Sequence, residues 1–348
     1  MGKAGRAKKG LPEIVFDDAA RCDFITGFHK RKNERRQFAR NKLAEEVRKR
    51  FAQTFTTLAA LAACAGRALK TEARNLAWMG GDATPEVMAQ AKVDVAANLS
   101  PGATGLLLDP DFGVPAVRES GQLASTCGLL VAAEPSDRGN YNGEPRAHRI
   151  EEQNGRWVLD QGGDAVKFLV QVNALRQAAP GEPDLVAEAL EVVRAVVEDC
   201  QAAGIPSVIE NLVYTLPGEE PLAGEAKSEA IVESAASLSD LGMDLLKLEY
   251  PGSAQACKQL ADRINVPWAV LSAGVDFEEF TNVLRVSCDD GGASGFIAGR
   301  ALWKESIGMS SAERRIFFSE VSVPRLDACR AAIDGRARPW FDAIETTA

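Results

Sequence analysis

The chain has 348 residues, 46% of them hydrophobic and 26% charged, the balance of a soluble globular protein with a sizeable core and not of a collagen, a mucin or a disulfide scaffold. Seven cysteines, at positions 22, 64, 127, 200, 257, 288 and 329, include no CxxC pair. They suggest neither a zinc site nor a disulfide framework, and a reducing, intracellular setting is expected. No apolar run approaches the roughly 20 residues that span a bilayer, so no membrane partner is expected.

The net charge of −9 conceals an asymmetry. Residues 1–52 carry 15 Lys and Arg against 7 Asp and Glu, a net +8, and residues 53–348 carry 25 against 42, a net −17. Two parts with different partners are expected, divided between residues 52 and 53. The opening MGKAGRAKKG is basic with no apolar stretch behind it, unlike a secretory signal. From Phe28 to Arg50 there is no Pro or Gly, and Glu45 and Lys49 are spaced i, i+4, so this extension reads as a long helix. Its apolar residues (Phe38, Leu43, Val47, Phe51) are too sparse to anchor a core. Clustered Lys and Arg suit either a nucleic-acid backbone or a merely solvated face. The string IVFDDAARCDFITGFHKRKNERR, Ile14 to Arg36, resembles the opening of the nucleolar protein 12 family over about residues 11–50. That resemblance implies rRNA as a partner through residues 1–52 and a nucleolar location, against a cytoplasmic one if the remainder dominates. Only the N-terminal portion of the family is matched, so its other activities are not carried over.

After Ala52 the pattern changes to short apolar runs, each followed by a helix-like stretch. The runs fall at 54–62, 104–110, 128–134, 165–171, 206–213, 245–251, 268–274 and 295–300. Near-continuous apolar strands in parallel βα units, eight in number, predict an α/β fold of the (β/α)8 TIM-barrel type, with a doubly wound open sheet as the alternative. Barrel chemistry sits at the carboxyl ends of the strands. Charged residues inside apolar strands therefore stand out, because burying an unpaired charge is costly. Lys167, Glu210 and Lys247 are three such residues. Lys247, between leucines in LLKLEYP, is in surroundings that disfavour an ammonium and favour a nucleophilic amine, or is paired with a nearby carboxylate. Glu210 in SVIENLV is placed to move protons, or to bridge to one of the lysines.

Of the two histidines, His29 belongs to the extension and His148 lies in the loop-like YNGEPRAHRIEE, so acid–base work in the barrel falls to carboxylates and lysines. The strings LSAGV (271–275) and GFIAGR (295–300) end the seventh and eighth strands, where barrels often bind phosphate. Ser272 is expected to donate a hydrogen bond, Gly274 to let backbone N–H groups approach, and Arg300 to clamp an anion.

Together GLLLDPDFGVPA (105–116), DAVKFLV (164–170), IENLVY (209–214), LLKLEYP, LSAGV and GRALWKESI (299–307) resemble, in order, the tagatose 1,6-bisphosphate aldolase family of class I aldolases. The likeness extends over about residues 54–343. It implies cleavage of a phosphorylated ketose to dihydroxyacetone phosphate and an aldehyde, with Lys247 as the Schiff-base lysine, Glu210 as general acid/base and Lys167 as a second active-site cation. Ser272 and Arg300 are implied as phosphate contacts. It also implies no metal, no cofactor and often a homodimer. One place departs from the family: its first strand ends in Asp-Gln-Arg, whereas AACAGRALK (62–70) has Cys64 where the acid would stand and Arg67 displaced by about one position.

Overall fold

The computed structural model describes residues 84–137 and 139–339, together with the backbone of residues 58–62. The expected helix at 28–50, Cys64 and Arg67 lie outside the described residues. Eight parallel strands close into a barrel: β1 (Leu58–Ala62), β2 (Gly105–Leu108), β3 (Gly128–Ala132), β6 (Ala165–Val170), β7 (Ser207–Asn211), β8 (Leu245–Leu248), β9 (Trp268–Leu271) and β10 (Gly295–Ala298). Two further strands, β4 (Asn140–Tyr141) and β5 (Glu144–Pro145), form a separate antiparallel hairpin between β3 and β6. The ring is closed by β1 against β10, with Leu58 opposite Gly295, which excludes the open doubly wound sheet.

The helices are α1 (Pro85–Leu99), α2 (Gly113–Ser120), α3 (Gly155–Asp160), α4 (Leu185–Ala203), α5 (Gly224–Ser239), α6 (Ala254–Arg263), α7 (Phe277–Asp289), α8 (Arg300–Trp303), α9 (Ser311–Phe317) and α10 (Val323–Ile333). The longest, α4, illustrates why such segments form. Asp184 caps its start by accepting from the N–H groups of Val186 and Ala187, and Gly204 ends it in the left-handed conformation at φ 74°. Between them Leu185, Ala189, Val193, Val196, Val197 and Cys200 recur at helical spacing and are buried.

Strand side chains alternate between two faces. Leu129, Val131 and Ala133, then Val166, Phe168 and Val170, then Ile209, then Leu246 and Leu248 belong to the apolar core with the helices. The opposite parity, Glu134, Lys167, Glu210 and Lys247, consequently points into the barrel, and all four are buried.

Seven of the eight strands end one to three residues before the limits expected from the sequence. The residues there leave the ladder because their side chains or turns are used otherwise. Asp109, past β2, accepts from the N–H groups of Phe112 and Gly113 at the start of α2 and pairs with Lys92. Glu134, past β3, takes the N–H of Leu169 on β6 at 3.3 Å, a bond that a longer β3 would have supplied from its backbone. Arg300 is a correction of another kind, being the exposed first residue of α8 and not a strand residue. The loop expected around His148 contains the β4–β5 hairpin, turned by Asn142 (φ 51°) and Gly143 (φ 92°). Asn-Gly is the sequence signature of that turn.

Candidate active site

Three adjacent strands bring the predicted charged residues together. Glu210 on β7 lies directly opposite Lys247 on β8, and Leu169 on β6 lies opposite Glu210 on its other side. Lys167, two residues before Leu169, shares its inward face and reaches along the strand to the same carboxylate. The Lys247 Nζ donates to Glu210 Oε1 at 2.8 Å, and the Lys167 Nζ stands 2.7 Å from Glu210 Oε2. The pairing reading of Lys247 is therefore realised in the fold, in the same cluster that the catalytic reading requires.

Sequence reasoning passed over a fourth member. Lys167 also donates to Glu134 Oε1 at 2.8 Å, so the chain Glu134–Lys167–Glu210–Lys247 alternates in sign across β3, β6, β7 and β8. Their relative exposures are 8%, 3%, 6% and 5%. Two carboxylates balance two ammonium groups, which is the condition for keeping charges in a low-dielectric interior. The signal for Glu134 was present in GLLVAAE, where it shares the inward parity of Leu130 and Ala132. Burial alone would raise the Glu210 carboxyl, but the ammonium groups of Lys167 and Lys247 outweigh it and hold the carboxyl down at about 2. Glu210 is thus a carboxylate at neutral pH, able to receive a proton when one neighbouring cation is discharged.

A protein-family model described as DeoC/LacD family aldolase matches residues 67–305. The chain belongs to the DeoC/LacD aldolase family. Similar proteins include tagatose 1,6-diphosphate aldolase 2 of Streptococcus agalactiae, 28% identical over 300 residues and covering 77% of this chain and 88% of the relative. Tagatose 1,6-diphosphate aldolase of Lactococcus lactis is 26% identical over 294 residues, covering 76% and 88%. Among solved structures, fructose-bisphosphate aldolase from Plasmodium falciparum has a TM-score of 0.61 at 15% identity, covering 85% of this chain and 96% of that one. An archaeal fructose 1,6-bisphosphate aldolase gives 0.51 at 16%, covering 83% and 98%. Identities this low speak for the barrel fold alone. Residues 3–54 match a separate model, nucleolar protein 12 (25kDa).

The residues expected to bind phosphate follow β9 and β10, the two strands that come next to β8 around the barrel. Ser272 is buried, and the turn that follows places both Ala273 (φ 45°) and Gly274 (φ 85°) in the left-handed region. For alanine this is a strained conformation, of the kind that persists where surrounding structure enforces it. Arg300 lies beside this turn, its guanidinium 3.5 Å from where a Cβ on Gly274 would stand, an ordinary contact distance, so it is the positive φ that favours glycine at 274. His148 is exposed. Asp109, fully buried, is committed to Lys92 and to the start of α2. Among the described residues no group of His, Cys, Asp and Glu could hold a metal ion, and no helix is long and apolar enough to cross a membrane.

Proposed function

We propose that this aldolase is of the Schiff-base class, with Lys247 attacking the ketone of a tagatose 1,6-bisphosphate-like ketose phosphate. The observation that carries the reading is the contact of Lys247 with Glu210, itself held by Lys167, at the carboxyl ends of adjacent barrel strands. In the proposed sequence the neutral amine of Lys247 adds to the carbonyl carbon, and the carbinolamine loses water to give an iminium. The iminium draws the electron pair of the bond between the third and fourth carbons as that bond breaks, while the hydroxyl on the fourth carbon gives up its proton to a carboxylate. An enamine and an aldehyde result. Protonation and hydrolysis of the enamine release dihydroxyacetone phosphate and restore the lysine. Glu210 is the proton carrier, because losing the charge on Lys247 removes one of the two cations that keep it ionised. Lys167 remains to hold the carboxylate in place and to balance developing negative charge. Ser272, the Gly274 turn and Arg300 receive one phosphate, supported by their position after β9 and β10.

The test is borohydride trapping with dihydroxyacetone phosphate, followed by peptide mass spectrometry of the wild type and of Lys247→Ala. A reduced adduct on the peptide containing Lys247, absent from the variant, is the expected result; a folded wild type that traps nothing refutes the reading. A homodimer is the assembly to look for by light scattering.

A second reading is favoured by the nucleolar protein 12 match over residues 3–54, in which the basic extension binds rRNA and the barrel is an inactive passenger. It calls for RNA binding that weakens steeply with salt and is lost on deletion of residues 1–52. It also calls for nucleolar accumulation of a reporter fused to those residues, and a diffuse signal counts against it.

A further inference from the structure

Outside the charge cluster there is a second buried polar assembly on the same side of the barrel, built from the loops that follow three of the same strands. Glu144, on the hairpin after β3, accepts from Arg176 Nε at 2.7 Å and Nη2 at 3.1 Å. Arg176 lies in the connection after β6, and its Nη1 also donates to the Pro183 carbonyl at 3.2 Å. Tyr214, in the connection after β7, donates its hydroxyl to Glu144 Oε2 at 3.1 Å. Glu144 and Arg176 are each 8% exposed. The other charged group facing Arg176 is Glu182, 3.9 Å away, and next to Tyr214 the Val213 N–H donates to Glu249, which pairs with Lys227.

The two assemblies correspond strand for strand. β3 leads from Glu134 to Glu144, β6 from Lys167 to Arg176, and β7 from Glu210 to Tyr214. The intervening chain is not slack. The Asn211 side chain exchanges two hydrogen bonds with the Val172 backbone, continuing the β6–β7 ladder past its end, and Asn173 Nδ2 donates to the Tyr214 carbonyl at 3.0 Å. The hairpin lies beside the connection after β7, Pro217 standing 3.6 Å from where a Cβ on Gly143 would be. An arginine bonded through two nitrogens to one carboxylate, closed by a phenol, fixes direction as well as distance.

We propose that Glu144, Arg176 and Tyr214 are positioning residues that hold the ends of β3, β6 and β7 in register and so keep Lys167 centred between Glu134 and Glu210. The proposal rests on the reading of Lys247 as the Schiff-base lysine. The clamp touches no reacting atom; its effect passes through the geometry of Lys167 and Glu210, where displacements of an ångström or less alter proton transfer. The phosphate loops after β9 and β10 are not among its contacts, so binding of the phosphate is left unaltered.

Wild type, Tyr214→Phe and Arg176→Lys are compared on tagatose 1,6-bisphosphate, with melting temperature and borohydride trapping recorded on the same preparations. Tyr214→Phe keeps the ring and removes one hydrogen bond; Arg176→Lys keeps the charge and removes the fork. The expected result is a fall in kcat of about tenfold or more with KM within about twofold, in Tyr214→Phe of unchanged melting temperature. Arg146→Gln, which breaks the exposed Arg146–Glu188 pair at the foot of the same hairpin, keeps wild-type kcat. Unchanged kcat in Tyr214→Phe overturns the clamp, as does a loss confined to KM or one matched by Arg146→Gln. If the wild type traps no adduct, the Schiff-base reading falls and the clamp's role falls with it; an adduct in the wild type together with unchanged kcat in Tyr214→Phe overturns the clamp alone.

Discussion

Glu210 stands between two ammonium groups and Lys167 between two carboxylates, so removal of one member leaves its neighbours with uncompensated charge. Glu210→Gln is therefore expected to destabilise the fold by about 3–5 kcal/mol, read from urea midpoints, and to lower kcat by roughly 10²–10⁴ if Glu210 carries the proton. The pH dependence has a definite sign. The folded-state pKa of about 2 lies below the ordinary value of 4.5, so the contribution of Glu210 to stability is complete above about pH 4.5 and is lost as pH falls through about 2. Urea midpoints should thus fall from pH 6 to pH 3 in the wild type, and by less in Glu210→Gln; an equal fall in both would assign the acid lability elsewhere. Lys167, Glu210 and Lys247 were legible from sequence because a charge in an apolar strand is rare. Glu134 carried the same signal, as the inward-parity end of the expected run 128–134, but at the last position of a run a glutamate also reads as the start of a loop, and only the fold shows it reaching Lys167.

At the scale of single elements, the caps and turns carry the checkable energetics. Asp184→Ala removes the two hydrogen bonds that begin α4 and is expected to cost about 1 kcal/mol, measured as a lowered urea midpoint. At the start of α2, a Cβ on Gly113 would lie 2.9 Å from Asp109 Oδ1 and 3.1 Å from Leu108 Cβ. The Asp109 carboxylate is anchored on both oxygens and has little freedom to retreat. Gly113→Ala is expected to cost about 1–3 kcal/mol, whereas the same change at Gly121, with nothing nearby but φ 63°, acts through backbone strain alone. These elements also mark where sequence patterns run out. Apolar periodicity located all eight strands, but could not find their ends, because the terminating interactions come from side chains on other segments, as at Asp109 and Lys92. The β4–β5 hairpin carried its Asn-Gly signature in the sequence. Its strands of two residues each were too short for alternation to register.

At the scale of the whole molecule, the five cysteines among the described residues (Cys127, Cys200, Cys257, Cys288 and Cys329) are buried and free. Desolvation pushes four of their thiols up to about 12 and raises Cys200 as well. None of the five is expected to react with iodoacetamide at pH 8 in the native protein, and all five should do so in denaturant, as read by mass spectrometry of alkylated peptides. Rapid native labelling of any of them would mean that the barrel opens locally at that segment. The sequence by itself determined the fold class, since eight apolar runs separated by helical patterns have few ways to bury both faces of a parallel sheet. It also determined the division of charge between the first 52 residues and the rest, and the identity of three cluster residues. Closure of β1 on β10, the assembly of Glu134, Lys167, Glu210 and Lys247 into one alternating chain, and the Glu144–Arg176–Tyr214 clamp were decided by tertiary structure alone. The clamp residues are separated by 32 and 38 positions in the chain, and only the shared barrel register brings groups so distant in sequence within hydrogen-bond reach.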